Sequence, residues 1–206
     1  MEFEKIRVDK THFYWTWKDL SYWPYAWIDK KDLKTLPKPF YLAEIHPDCS
    51  IGFETEEKAE FTNIIKLPDS FDKLKLDNDL RKDLKRVEKK NENIRMVYNE
   101  KDALDKSKHW FLEAWKENKK DFERRLKLWK EKCYTISAYL GDKLIAVHIA
   151  MKDKKTIYYL GCWWNKDYKS LSTPIFLLKK DIEKAIADKL DYYDLEIGDQ
   201  PYKKKW

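Results

Sequence analysis

The chain has 206 residues, of which 39% are charged, 43% hydrophobic and 16% aromatic, and its formal net charge is +6. This length fits one well-packed domain, or one domain with an appendage, and the apolar content excludes an intrinsically disordered chain. The cysteines, Cys49, Cys133 and Cys162, are too few and too widely spaced for a disulfide scaffold or a zinc site, so no metal is expected.

The composition also predicts where the protein works. Lysine and glutamate are abundant and glutamine occurs once, at Gln200, which is typical of hyperthermophile proteins, although an AT-rich genome also enriches lysine. We therefore expect a thermophilic origin. No apolar run is long enough to span a membrane and no signal peptide is recognised, which together predict a cytoplasmic protein with reduced cysteines.

Aromatic residues dominate the N-terminal segment, residues 1–58. They are densest over 12–27, where the rings either pack into a core or stack on the bases of a single-stranded nucleic acid. Burial is the more common use of such rings, so we interpret the segment as mainly structural. Those aromatics that stay exposed would be the natural surface for a homodimer.

Residues 59–206 show the pattern of one mixed α/β (α+β) domain. Runs of β-branched and aromatic residues bounded by turns predict strands, and apolar residues at helical spacing predict helices. The helix over 103–132 is expected to be continuous, because one apolar stripe runs along its whole length. The predicted elements are, in chain order, strands over 40–45 and 61–67, a helix from Asp69 or Ser70 to Lys90, a strand over 94–98, the long helix, strands over 133–140, 144–151 and 156–164, a helix over 174–188 and a strand over 191–197.

The strands over 156–164 and 191–197 are joined by a helix, so they should be parallel with a right-handed crossover. The helix then begins at the carboxyl end of the first strand, where backbone amides and the helix dipole favour an anion. Thr173 is a preferred N-cap and Pro174 a preferred first helical residue, which predicts a well-defined helix start. The alternatives are a phosphate-binding turn and a capped helix without a ligand.

Several short motifs follow one another in an order that carries further information. They are Gly141-Asp142-Lys143-Leu144-Ile145-Ala146-Val147-His148, then Tyr168, then Ser172-Thr173-Pro174, and finally Gly198-Asp199-Gln200-Pro201-Tyr202-Lys203. Upstream, residues 67–71 and 80–86 add to the pattern. Together they resemble the GNAT acyltransferase superfamily, and within it the Fem/CelD-like N-acyltransferases. Relatives usually have Ser-Pro-Gly where this chain has Ser172-Thr173-Pro174.

The resemblance implies a GNAT-like central sheet flanked by helices, with residues 1–58 as a truncated first GNAT half. It also implies an N-acyltransferase that moves an acyl group from acyl-CoA, such as acetyl-CoA, or an aminoacyl group from charged tRNA, to a small-molecule or peptide amine. The donor's pyrophosphate would lie over 170–175 and its thioester arm in a splay between the two parallel strands. The residues expected to bind the donor are Trp163, Trp164, Ser170, Ser172, Thr173, Ile175 and Phe176.

The candidate catalytic residues follow from the chemistry of amine acylation. The attacking ammonium must first lose a proton, and His148 on a predicted strand suits that role, with a plain core histidine as the alternative. Glu196, at the carboxyl end of the last strand, is the rival base. The resemblance implies that Tyr202 protonates the leaving group and that Lys203 contacts a phosphate or carboxylate of the substrate.

Two basic clusters, one on the predicted helix that contains Arg81 and one over 203–205, can meet phosphates, and Arg81 is a further expected substrate contact. Nearby acidic residues favour an ordinary solvated surface instead. The second functional hypothesis is a catalytically degenerate GNAT-like protein that binds a partner protein or RNA. It is suggested by Pro174, which removes one amide from the anion site, and by the few residues that follow Lys203.

Overall fold

The structure is a computed structural model that describes residues 3–7, 13–17, 62–100, 102–115, 119–153, 155–197 and 200–206. The chain divides into two compact units, Met1–Ala59 and Glu60–Trp206. In the first unit, β1 (Phe3–Arg7) and β2 (Phe13–Trp17) pair antiparallel. The other predictions for the aromatic segment, including the strand over 40–45, lie outside the described residues.

The second unit is built on a six-stranded mixed sheet with the strand order β3-β8-β7-β6-β5-β4. Its elements are β3 (Thr62–Lys66), α1 (Asn78–Lys90), β4 (Ile94–Tyr98), α2 (Ala103–Trp115), α3 (Lys119–Lys132), β5 (Tyr134–Leu140), β6 (Lys143–Asp153), β7 (Thr156–Trp164), α4 (Thr173–Ala187) and β8 (Tyr192–Ile197). Within this sheet β7 and β8 are parallel, and the other neighbours are antiparallel. The predicted mixed α+β sheet and the parallel crossover pair are confirmed.

The sheet has a core on each face, because successive side chains of a strand point to opposite sides. On β6, Ala146 and Ala150 pack with α1 and α4, whereas Val147 and Ile149 pack with α2 and α3. The small alanines leave room for α4 to lie close to the sheet. The opposite core is largely aromatic and contains Phe111, Phe122, Trp129 and Trp163.

The helix predicted from Asp69 or Ser70 to Lys90 is wrong in its first half. A short 3-10 turn covers Phe71–Lys73, and Ser70 makes no side-chain cap. No helix forms over 74–77, where the backbone of Leu74 is extended and both Leu74 and Leu76 are buried. The helix α1 begins only after Asp77, whose carboxylate accepts from the amide of Asp79 at 2.8 Å. Burial of alternate leucines therefore displaced the helix start.

The single helix predicted over 103–132 is also wrong, because α2 ends at Trp115 and α3 begins at Lys119. The rings of Phe111 and Phe122 stack with their centroids 4.7 Å apart. In one continuous helix these residues would be about 16 Å apart along the axis, at about 1.5 Å per residue. The two helices fold back on each other, so the apolar stripe on both faces the same aromatic core.

Short 3-10 turns cover Lys166–Leu171 before α4 and Lys203–Lys205 after β8. Over the described ranges, no helix is both long and apolar enough to cross a membrane. The same ranges hold no group of three or more His, Cys, Asp or Glu side chains placed to bind a metal ion.

Candidate functional site

The parallel strands β7 and β8 separate toward their carboxyl ends. Their pairing stops at Tyr158 and Asp194, whereas β7 continues to Trp164 and β8 to Ile197. The sheet is therefore open between the last residues of the two strands. Ligand sites of open α/β sheets lie at the carboxyl ends of their strands. We call this gap the β7/β8 opening.

A bulge in β7 lies beside this opening. Ala150 of β6 pairs with Tyr159 and Ile149 pairs with Gly161, so Leu160 is an additional residue in β7. Gly161 has a φ angle of 145°, which favours a residue without a Cβ atom. A bulge bends its strand and increases the local twist, which accounts for β7 turning away from β8.

Glu196 and Lys203 lie together at the end of β8. The backbone of Glu196 is left-handed, with a φ angle of 66°, and its amide donates to a carboxylate oxygen of Asp194 at 2.8 Å. The Lys203 ammonium donates to the Glu196 carbonyl at 3.1 Å, and both side chains are buried. Desolvation lowers the pKa of Lys203, while the negative charges of Glu196 and Asp194 oppose that shift. A buried cation is thus held beside two carboxylates at the opening.

Tyr202 connects this end of β8 to the inside of the sheet. The hydroxyls of Tyr202 and Tyr159 are hydrogen-bonded to each other, and burial raises the pKa of both. The Tyr159 ring lies against the imidazole of His148, with centroids 5.1 Å apart. The structure therefore places three of the residues predicted from the sequence, His148, Tyr202 and Lys203, along one path from the core to the opening.

His148 itself belongs to a polar network in which the side chains of His148, Asp181 and Tyr193 are fully buried and that of Tyr134 is half-buried. Its Nε2 lies 2.9 Å from Oδ2 of Asp181 on α4. Tyr134 of β5 donates to the same carboxylate at 2.8 Å and Tyr193 of β8 donates at 2.7 Å. Three donors compensate the carboxylate for its lost hydration, which explains how an aspartate is tolerated between a helix and the sheet.

Sequence reasoning missed Asp181, Tyr134 and Tyr193. A signal was present for Asp181, because it occupies the apolar stripe of α4 between Leu178 and Ala185, and all of these positions are buried. An acid on the inner face of a helix needs partners, since burying it alone is costly. The sequence did not reveal which partners those are.

The start of α4 differs from the prediction. Ser172, not Thr173, occupies the N-cap position, with a left-handed backbone at a φ angle of 54° and no side-chain cap. The Thr173 hydroxyl instead donates to Oδ1 of Asn91 at 3.2 Å. The amides of Ile175 and Phe176 both donate to the Ser172 carbonyl, at 3.1 and 3.3 Å. The amides expected to hold an anion are therefore engaged within the helix.

Asn91 ties the turn before α4 to the end of α1, a contact that sequence reasoning also missed. Its side chain is 1% exposed. Its Nδ2 donates to the carbonyls of Leu171 at 2.7 Å and Val87 at 2.8 Å. Lys90 adds a bond from its ammonium to the Ser170 carbonyl at 2.8 Å. The turn is thus held in place through its backbone carbonyls. The side chain of Ser170 is exposed on the surface.

The remaining residues predicted for the site lie in different settings. Trp163 is buried in the aromatic core with α2 and α3, and Trp164 is 40% exposed at the end of β7. Arg81 is exposed on α1 and donates to the Leu74 carbonyl. The amide of Asp77, one turn before Arg81, donates to the Lys205 carbonyl at 3.1 Å, so the end of the chain meets the start of α1.

The family described as "Acetyltransferase (GNAT) domain" matches residues 75–204, which is more than half of the chain. The chain belongs to the GNAT acetyltransferase family. The matched GNAT domain begins just before α1 and includes the β7/β8 opening and Lys203. The predicted resemblance to this superfamily is confirmed, as is the GNAT-like layout of a central sheet flanked by helices.

Three solved structures share the GNAT fold of this chain. FemX matches with a TM-score of 0.56 and 10% identity, over 70% of this chain and 57% of that one. The C-terminal domain of a putative lysylphosphatidylglycerol synthetase from Agrobacterium fabrum matches with a TM-score of 0.50 and 14% identity, over 66% of this chain and 46% of that one. A conserved protein of unknown function from Bacteroides thetaiotaomicron VPI-5482 matches with a TM-score of 0.52 and 14% identity, over 73% of this chain and 55% of that one.

This GNAT chain spans about half the length of these three structures. At such low identities the likeness concerns the fold, and the likeness to FemX agrees with the Fem-like branch indicated by the sequence motifs. No curated protein matches the chain.

Proposed function

We propose that this GNAT protein is an N-acyltransferase that moves an acyl group from acyl-CoA, or an aminoacyl group from charged tRNA, to an amine. The observation that carries the proposal is the β7/β8 opening, at which Tyr202, Lys203 and Glu196 meet. The family match supports acyl transfer as the class of reaction.

The residues at the opening supply the groups that amine acylation needs. A base must take a proton from the acceptor ammonium, and His148 and Glu196 are the two candidates. Tyr202 keeps its proton at neutral pH, because burial raises its pKa, so it can donate that proton to a leaving thiolate or hydroxyl. Lys203 offers its ammonium to a carboxylate or phosphate of the acceptor, and Arg81 offers a second positive charge.

The donor is proposed to lie at the turn before α4, as a substrate. The hydroxyls of Ser170 and Ser172 would face its phosphates, because the Thr173 hydroxyl and the amides of Ile175 and Phe176 are already bonded within the protein. Trp163 and Trp164, at the end of β7, would border its acyl arm. CoA thioesters are the general expectation for a GNAT domain, and charged tRNA is the alternative that the Fem-like resemblance suggests.

One observation favours a second candidate function, a GNAT-like protein that binds RNA or a partner protein without catalysis. The amides of Ile175 and Phe176 are already bonded to Ser172, and Pro174 has no amide hydrogen. This weakens the anion site. The exposed basic residues of α1, such as Lys85 and Lys89, would then bind the phosphate backbone of an RNA.

A titration with acetyl-CoA and with tRNA tests the proposal. A donor present at about 100 times its dissociation constant should stabilise the fold by about 2.7 kcal/mol, measured as a rise in melting temperature. Lys169→Glu, in the turn before α4, should weaken CoA binding, whereas Lys152→Glu, on β6 far from the turn, should not. Salt-sensitive RNA binding without any acyl transfer to amines would support the second candidate and contradict the first.

A further inference from the structure

Asp181 is a buried carboxylate whose donors come from three different strands. They are the hydroxyl of Tyr134 on β5, Nε2 of His148 on β6 and the hydroxyl of Tyr193 on β8, at 2.8, 2.9 and 2.7 Å. Desolvation, together with the negative charge of Asp181, raises the pKa of both tyrosines well above its usual value. Both phenols therefore remain donors across the physiological range of pH.

This environment determines which nitrogen of His148 carries the proton. An ionised carboxylate has no hydrogen to donate, so the ring nitrogen that faces Asp181 must be the donor. Neutral His148 is therefore held with its hydrogen on Nε2 and its lone pair on Nδ1. Nδ1 is buried and finds no hydrogen-bond partner in the described part of the chain. Because buried polar atoms are nearly always paired, this lone pair points to a group outside the described part of the chain, such as a bound acceptor amine.

His148, which carries this lone pair, lies beside the β7/β8 opening. His148 pairs with Cys162 on β7, which lies beyond Tyr158, the last residue that β7 pairs with β8. Its ring also contacts Tyr159, whose hydroxyl meets that of Tyr202. His148 thus lies on the inner side of the opening and faces the same core as α4.

We propose that Asp181 is the positioning residue for His148 as the catalytic base. By fixing the Nε2–H tautomer, Asp181 leaves Nδ1 ready to take a proton from the acceptor amine, and its charge stabilises the imidazolium that forms. This inference rests on the proposed acyl transfer and assigns the base to His148 instead of Glu196.

The proton balance of the step is complete. The acceptor ammonium gives one proton to Nδ1, and its nitrogen then bonds to the acyl carbon of the donor. The bond from that carbon to the donor's sulfur or oxygen breaks. Tyr202 gives its proton to the leaving thiolate or alkoxide and regains one from the nitrogen, which loses its second proton, and the proton on His148 passes to solvent.

The test compares Asp181→Asn with Tyr134→Phe in the full chain. The asparagine has nearly the shape of the aspartate, but its NH₂ group can face Nε2 and reverse the tautomer. We expect kcat/KM with the active donor to fall by about 100- to 10,000-fold. Tyr134→Phe removes one hydrogen-bond donor to Asp181, but Asp181 still contacts His148. The kcat/KM of this variant should therefore fall by less than about 10-fold.

Two further measurements separate positioning from a merely structural role. The ¹⁵N NMR spectrum of histidine-labelled protein should show His148 protonated on Nε2 in the wild type and on Nδ1 in Asp181→Asn. The acidic limb of the kcat/KM profile should move to lower pH in that variant, because the imidazolium loses its carboxylate. The other titratable groups that face His148 are Tyr134, Tyr159, Cys162 and Tyr193, whose pKa values are all raised, so they stay protonated there.

Each outcome decides the inference. Wild-type turnover in a folded Asp181→Asn protein would overturn the positioning role of Asp181 and leave acyl transfer in place. So would a result in which Glu196→Gln loses turnover and Asp181→Asn keeps it. If Asp181→Asn does not fold, a wild-type spectrum with the hydrogen on Nδ1 would still refute the assignment. A wild type that acylates no amine with either donor would show that the proposed function is wrong, and the proton-accepting role of His148 would fall with it.

Discussion

At the residue scale, Lys203 combines a positive charge with almost complete burial. Desolvation lowers its pKa from the ordinary value of 10.5. Since the folded pKa is below the unfolded one, burial of the ammonium costs stability at neutral pH. That stability is regained as the pH rises through the folded pKa toward 10.5. A costly buried cation beside the carboxyl end of β8 is more typical of a binding site than of a structural contact.

Lys203→Ala should therefore affect acceptor binding more than folding. A charge-assisted hydrogen bond is worth about 1.5 to 3 kcal/mol, so the KM for the acceptor should rise roughly 10- to 100-fold with kcat nearly unchanged. Steady-state kinetics measure both constants. Lys204→Ala, at the exposed neighbouring position, is the matched control. Equal KM values for the two variants would contradict this role for Lys203.

At the element scale, one side chain connects α1, the turn before α4 and α4 itself. Asn91 bonds to Leu171 on one side of Ser172 and to Thr173 on the other. Ser172 adopts a left-handed backbone, which is unfavourable for a residue with a Cβ atom. Anchoring both neighbours explains how this conformation persists without glycine.

Asn91→Ala should destabilise the fold by about 3 kcal/mol, because it removes three hydrogen bonds and leaves buried partners unsatisfied. Urea unfolding followed by circular dichroism measures this difference. Asn93→Ala, two residues later and exposed, should change the free energy of unfolding by less than about 0.5 kcal/mol. Similar effects of the two substitutions would show that the Asn91 contacts contribute little to stability.

At the scale of the whole molecule, the α4 side of the sheet buries several phenols and a thiol. Burial raises the pKa of Tyr134, Tyr159 and Tyr193 well above 10.0, and it raises that of Cys162 above 9.0. In the unfolded chain these groups lose their protons near their ordinary pKa values. The folded state then binds more protons than the unfolded state, so stability must fall as the pH rises.

We therefore expect the free energy of unfolding to decrease steeply above about pH 10, the ordinary pKa of tyrosine. Each such group contributes up to about 1.4 kcal/mol per pH unit, so Tyr193→Phe should make the decrease shallower by about that amount. Urea titrations at a series of alkaline pH values measure the slope. Tyr98→Phe, at a side chain that is 40% exposed, should change the slope less. An unchanged slope in Tyr193→Phe would contradict the prediction.

The sequence by itself determined the elements whose signals are local. Periodicity marked the strands and most of the helices, and a crossover helix between two strands makes them parallel, with a right-handed connection. That was enough to predict the β7–α4–β8 unit, and the motifs along it indicated the GNAT superfamily. The sequence also offered His148, Tyr202 and Lys203 as candidate site residues, and these side chains lie along one path in the structure.

Only the tertiary structure decided which distant side chains meet. His148 and Asp181 are separated by 33 residues and Asn91 and Thr173 by 82, and no periodic pattern encodes either contact. The same holds for the break between α2 and α3, because the apolar stripe is equally compatible with one helix or two. Packing of Phe111 against Phe122 selects two helices. Local patterns specify which face of an element is buried, whereas the partner on that face depends on how the whole chain packs.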